Sequence, residues 1–214
     1  MVTDRKTRIF TGTLTAIGVV VLVAWSLGPI YWVLVTSLKG AKEIYAFPPT
    51  LWPRTLTLSN YTDAVYTWGF LRYIRNSAVI AATVTALSVV IGALAAYPIA
   101  RLRFPGRALA ARAIIVSYLL PPSLLFIPLF IVLSQLGLID SKLGLIVAYL
   151  TFTVPFCTWL LIGYFRTIPV ELDEAALIDG STRVQILRHV ILPIALPGLA
   201  VVALYALTNS WNEF

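Results

Sequence analysis

The sequence predicts an all-α integral membrane protein, a polytopic helical bundle, and three observations carry that reading. Hydrophobic residues make up 59% of the 214, with a mean hydropathy of +0.90, well beyond the roughly half-apolar composition of soluble domains. Charged residues are only 12% and gather between long apolar runs instead of spreading over a surface. Those runs are five in number, four of them complete and the fifth starting near Pro193.

Taken in order, the N-terminal tail holds Arg5, Lys6 and Arg8 against one acid, Asp4. Ile9 to about Leu38 is apolar and long enough for a tilted crossing of a ~30 Å hydrocarbon core. The run exceeds the apolar region of a secretory signal, and no small-residue cleavage site follows it cleanly. Gly28 and Pro29 are expected to bend its far end.

Residues 39–70 form the largest predicted loop. Pro48, Pro49 and Pro53 oppose a regular helix there, and Trp52, Tyr61, Tyr66 and Trp68 suit an interfacial aromatic belt. A short helix capped by Ser59 or Asn60, with Asp63 in its first turn, is expected. A surface for an external partner and a packing cap over the bundle are equally compatible with this loop.

The second span runs from about Tyr73 to Ala100. Its small residues (Ala81, Ala82, Ser88, Gly92, Ala95 and Ala96) are the composition of close helix contact in lipid. Arg101, Arg103, Arg107 and Arg112 follow without an acid. The third span, about Ala113 to Ser134, is interrupted by Pro121, Pro122 and Pro128, which lipid tolerates only where protein or a watery path satisfies the freed carbonyls. The fourth, about Leu143 to Phe165, carries Pro155 at its middle.

Between the fourth and fifth runs lies the long polar segment ELDEAALIDGSTRVQILRHVILP, Glu171 to Pro193. Pro169 suits a first helical position. Glu171, Asp173 and Glu174 put negative charge where the helix dipole favours it. Leu172, Ala175 and Ala176 share a narrow face of small apolar groups. Gly180 is expected to stop this helix through a left-handed backbone. Ser181 would cap a second helix, with Val184, Leu187 and Ile191 on one face.

Charge sets the orientation. With the N-terminus inside, the tail, the Arg101–Arg112 loop and the Arg166–His189 loop are cytoplasmic and hold ten of the sixteen Lys and Arg residues. The net charge of +7 is thus better explained by orientation than by a nucleic-acid patch. Cys157 is the only cysteine, so neither an intrachain disulfide nor a cysteine metal site can form. His189 reads as a loop histidine. No G-x-x-x-x-G-K-[ST] phosphate-binding loop occurs.

The polar segment fits a long pattern, EAA-x3-G-x9-I-x-LP, through Glu174, Ala175, Ala176, Gly180, Val190, Leu192 and Pro193, with Val190 in place of the usual Ile. In this it resembles the permease subunits of ABC importers. NYTDAV near Asn60, FLRYIRNS at Phe70–Ser77, AAYPIARLRFPGR at Ala95–Arg107 and SWNEF at Ser210–Phe214 look like the carbohydrate type, most of all the second permease subunit of maltose or glycerol-3-phosphate uptake.

The resemblance covers essentially the whole chain. It implies the permease fold, with residues 1–70 (tail, first span and external loop) followed by a core at 71–214 whose cytoplasmic coupling loop is 166–192. It also implies a sixth span, so that the chain is expected to be C-terminally truncated. The implied location is the bacterial inner membrane. The implied partners are a homologous permease in a heterodimer, two ABC ATPase subunits and an extracytoplasmic solute-binding protein, with membrane lipid around the spans and no nucleic acid. The chain would bind no cofactor, and ATP would be used by the ATPase.

In that resemblance the motif residues couple the permease to the ATPase. Glu174 anchors the first loop helix, Ala175 and Ala176 allow close approach, Gly180 sets the turn and Pro193 fixes the exit. There is no catalytic or metal-binding residue. Asn209, Trp211, Asn212 and Glu213, polar or aromatic at membrane depth, are candidates for a translocation path or for a packing cluster. An anionic solute would want basic groups inside the spans; none are found there, which leans towards a neutral sugar. A secondary transporter or channel would show an inverted repeat or a charge buried mid-span, and a membrane enzyme would need a His, Asp or Glu constellation. Neither signature is present.

Overall fold

The computed structural model describes residues 5–212, with side chains from residue 11 onward. No strand occurs among the described residues. The chain divides into two compact units, Met1–Tyr73 and Ile74–Phe214.

In the first unit α1 (Arg5–Ser37) contains the apolar stretch Thr11–Ser37, long and apolar enough to cross a membrane. Its flanks are exposed to whatever surrounds them, with Trp25 83% accessible. Pro29 lies inside the helix, which is assigned as one continuous element.

The loop beyond α1 folds back on the helix end through hydrogen bonds. Asn60 donates its amide to the carbonyls of Ser37 (2.9 Å) and Lys39 (2.7 Å), so it caps the C-terminus of α1. The expected Ser59 or Asn60 cap is therefore not formed: Leu58 precedes the short α3 (Ser59–Thr62), and no side chain caps it. The last carbonyls of a long helix compete better for Asn60 than one turn of helix does. Asp63 opens the π-helical turn Asp63–Thr67 that follows. Lys39 is buried, with its Nζ on the carbonyl of Thr50 and 4.9 Å from the centre of the Trp32 ring. Glu43, in α2 (Ala41–Ile44), accepts from the Thr50 hydroxyl (2.7 Å) and the Arg54 amide (2.9 Å).

The second unit is built on α4 (Phe70–Arg101) and α7 (Lys142–Thr167), each long and apolar enough to span. Of the small residues on α4, Ala81, Ser88, Gly92 and Ala96 are buried, while Ala82 and Ala95 are not. A single seam thus faces the neighbouring helix. At its middle the Ser88 and Thr153 hydroxyls meet at 2.7 Å, both fully buried, and near one end Lys142 Nζ donates to Asn76 Oδ1 at 2.8 Å. Ser141 caps α7 by accepting from the Gly144 amide.

The third expected span is not one helix. α5 (Arg107–Leu119) and α6 (Pro122–Gln135) meet at 99°, with Leu120 and Pro121 at the corner. Two consecutive prolines remove two amide donors and force the preceding backbone out of the helical region, so the span breaks instead of curving. The fifth, expected from near Pro193, is α11 (Leu196–Asn212), and the second helix of the polar segment, Arg183–Ile194, meets it at 81°. Among the described residues, three helices are long and apolar enough to span, or up to five if each bent pair is one span.

The main core lies where α4, α7 and α11 meet the polar segment. Its largest fully buried side chains include Phe165, Leu161, Ile186 and Ile191.

Candidate functional site

The polar loop is built as two short helices. α8 (Glu171–Ile178) follows Val170, so Pro169 lies two residues ahead of the helix and not at its first position. Gly180, at φ +81°, ends it in a paired closure: the Gly180 amide donates to the Leu177 carbonyl and the Ser181 amide to that of Ala176, at 3.0 and 2.9 Å.

The second helix starts one residue later than expected. α9 (Arg183–Ile186) is capped by Thr182, not Ser181. The Thr182 hydroxyl accepts from the Gln185 amide (3.3 Å), and the Gln185 side chain accepts from the Thr182 amide (2.7 Å). That reciprocal pair needs Thr and Gln three apart, which Ser181 lacks.

Leu187–Ile191 is π-helical and runs into α10 (Leu192–Ile194). The wider turn changes the phase of the buried face. Ile186, Leu187 and Ile191 point inward, while Val184, expected beside them, is 74% exposed.

The motif residues separate into two sets. Glu174 and Ala175 are exposed side by side on α8. Ala176, Val190 and Leu192 pack inward against the core formed with α4, α7 and α11. Pro193 is exposed at the start of α10, and His189 is exposed in the π-helical segment. The loop thus has an inner face fixed to the spans and an outer face free to meet another surface.

The one buried residue of α8 is Asp173, which sequence reasoning placed there only as a helix-dipole charge. Its Oδ2 lies 3.8 Å from Nε of Arg101, the last residue of α4, and both side chains are about nineteen-twentieths buried. Arg101 also donates through Nη2 to the carbonyl of Ile168, just past α7, at 2.7 Å. The Tyr97 hydroxyl, one turn back on α4, is buried within electrostatic reach of Asp173, Arg101 and Arg183. The signal that could have revealed the pair is an acid in a loop preceded, some seventy residues earlier, by an unpaired arginine at a span terminus.

On the other side of the unit an open cavity of about 660 Å³ lies between α6, α7 and α11. Its lining is largely aromatic and aliphatic (Phe126, Phe130, Phe152, Leu133), with Ser123, Tyr149, Thr153 and Asn209 as polar members. Thr153 spends its hydroxyl on Ser88 and the Tyr149 carbonyl. The Asn209 amide donates to the Tyr205 carbonyl at 3.2 Å. Of the residues expected on a path, Asn209 reaches this cavity. Trp211 and Asn212 are exposed further along α11 and do not line it, and Glu213 lies outside the described residues.

Residues 88–214 match the family described as "Binding-protein-dependent transport system inner membrane component". The chain belongs to that family. An inner membrane ABC transporter permease protein of Escherichia coli K12, YcjP, is 35% identical over 216 residues, covering 100% of this chain and 76% of that protein. The trehalose transport system permease SugB of Mycobacterium tuberculosis is 36% identical over 192 residues (90% and 69%). The trehalose/maltose transport system permease MalG of Thermococcus litoralis is 34% identical over 203 residues (94% and 72%). A chain from the crystal structure of a bacterial ABC transporter involved in the import of the acidic polysaccharide alginate shares the fold, with TM-score 0.76 at 24% identity over 99% of this chain and 74% of that one.

The protein is therefore a multi-pass inner membrane permease subunit of a binding-protein-dependent importer, a transporter component and not an enzyme. Permeases of this family work with an ATPase and a solute-binding protein.

Proposed function

We propose that this permease forms half of the translocation path for a neutral sugar or short oligosaccharide, paired in a heterodimer with a homologous permease. The observation that carries the coupling part is the exposure of Glu174 and Ala175 on a helix whose inner side is fixed to the spans. In this reading two ATPase subunits bind and hydrolyse ATP, and this chain binds no cofactor. Glu174 and Ala175 seat in an ATPase cleft; Gly180, Val190, Leu192 and Pro193 hold that surface in place. The N-terminus, the arginine-rich segment after α4 and the polar loop are cytoplasmic in this reading, which the Lys and Arg distribution supports.

The sugar class rests on the relatives' substrates (trehalose and maltose among them) and on the character of the cavity. Aromatic faces and an amide side chain suit hydroxylated rings, and no basic side chain lines the cavity to hold an anion. Asn209 is the path residue of this reading.

Co-purification tests the coupling reading. The chain is expressed with its ATPase and permease partners, unsubstituted and as Ala175→Trp, a change on an exposed site that leaves the core intact. Loss of the ATPase only from the variant is the expected result. Equal retention by both forms moves the contact elsewhere. For the path, Asn209→Leu is expected to lower uptake of labelled trehalose or maltose in a complex that carries either sugar; unchanged uptake assigns Asn209 to packing.

A further inference from the structure

α8 presents a physical oddity: among its eight residues the only buried one is a charge. A helix held by apolar burial would bury Leu172 or Leu177, yet both remain more than a third exposed. Asp173 is instead 3% exposed and faces Arg101.

A buried ion pair is poor evidence of stabilisation, because desolvating both charges offsets most of their attraction. What such a pair does fix is position, since neither charge tolerates burial without the other. Here the geometry fixes three elements at one guanidinium. Arg101 terminates α4, donates to the carbonyl just beyond α7, and pairs with the first turn of α8. The signs agree with the helix dipoles, a cation at two C-terminal ends and an anion at an N-terminal end.

The joint is also not fully closed. At 3.8 Å the pair is ionic without a hydrogen bond, and Arg101 Nε and Asp173 Oδ1 are buried without hydrogen-bond partners.

We infer that Arg101 and Asp173 are positioning residues for energy coupling: their ion pair ties the ATPase-facing helix α8 to the ends of α4 and α7, so that a displacement of α8 moves both spans together. The inference rests on the reading of α8 as the ATPase-docking helix and adds to it the part through which motion leaves the loop. Packing of Ala176, Val190 and Leu192 keeps the loop in place, whereas the Arg101–Asp173 pair makes α8 and α4 move as one body.

The test uses the assembled importer, with its ATPase and partner permease, labelled with spin labels at Arg103→Cys and Glu171→Cys. Both sites are exposed, and the native Cys157, fully buried, stays unlabelled. Interlabel distances are compared without nucleotide and with ATP and vanadate. The unsubstituted pair is expected to give the same distribution in both states, because α4 and α8 move together. Asp173→Asn is expected to give a distribution that shifts or broadens with nucleotide while the ATPase stays bound, and Asp173→Glu to behave as the unsubstituted chain.

Where Asp173→Asn does not assemble, the doubly neutral Arg101→Gln/Asp173→Asn removes the unpaired buried charge and is expected to assemble with the same nucleotide-dependent shift. A nucleotide-dependent shift in the unsubstituted pair overturns the inference. So does a neutralised variant whose distribution does not change. An unsubstituted complex that recruits no ATPase instead overturns the docking assignment on which it rests.

Discussion

Tyr164 of α7 lies against the backbone of Gly198 on α11. A methyl group placed on Gly198 would stand 2.7–2.9 Å from three ring atoms of Tyr164, Cγ and both Cδ. These atoms sit at the root of the ring, so no small swing of the side chain makes room. This contact sets the approach of α7 and α11 just past the bend that follows α10.

Gly198→Ala is therefore expected to destabilise the second unit by about 1–3 kcal/mol, the usual cost of forcing a methyl into a filled contact. Thermal unfolding of the detergent-solubilised complex, followed by size-exclusion fluorescence, measures it. Adding Tyr164→Ala in the same chain should recover part of the loss. An unchanged midpoint for Gly198→Ala would mean that the two helices separate freely.

The turn in the polar loop makes a different demand. Gly180 has open space around its Cα, so Gly180→Ala meets no clash, and its cost is the left-handed backbone alone, about 1–2 kcal/mol. Hydrogen exchange should accelerate at the Gly180 and Ser181 amides, which close α8, and not in α4 or α7. Exchange that spreads into the spans would show that the loop and the bundle unfold as one unit.

Thr182→Ala removes the hydroxyl half of the reciprocal cap on α9 and should cost about 1 kcal/mol. Ser181→Ala should cost far less. Limited proteolysis between Gly180 and Gln185 separates the two substitutions, and equal protection of both would contradict the assigned cap.

Glu43 gives the loop after α1 a pH response. The Arg54 amide, then the Thr50 hydroxyl, hold its carboxyl below the usual 4.5, with Lys39 adding to the effect and partial desolvation opposing it. Its folded-state value is depressed, so the stabilisation is complete above the unfolded value and is lost as pH falls through the lower folded one. Exchange at the Arg54 amide, corrected for the intrinsic rate, should therefore rise below about pH 4.5 and stay flat above it. Glu43→Gln should abolish that dependence.

Much of the architecture is legible in the sequence because lipid imposes one rule at a time. Apolar runs mark the spans, the small residues of α4 mark a seam, and Gly180 marks a helix end. What is not legible depends on partners far apart in the chain. Asp173 reads as a dipole charge until Arg101 is placed beside it. Asn60 reads as a local cap until the end of α1 is seen to need one more. Val184 falls on the wrong face because a π-helical turn adds a residue that no 3.6-residue period anticipates. Pro121 and Pro122 announce a disturbance, but its size, 99°, depends on what α6 packs against. Of the path candidates, Asn209 lines a cavity, whereas composition alone could not separate it from Trp211 and Asn212.

The double proline at the α5–α6 corner has one more consequence. Pro121 and Pro122 carry no N–H, so the carbonyls of Ser117 and Tyr118, four residues earlier, are denied their helical donors. These oxygens belong to the main chain. Scanning mutagenesis of side chains leaves them in place, so a survey of this span that finds every polar side chain dispensable would still leave two acceptors. Proline replacement, which returns an N–H at each position, is the substitution that probes them.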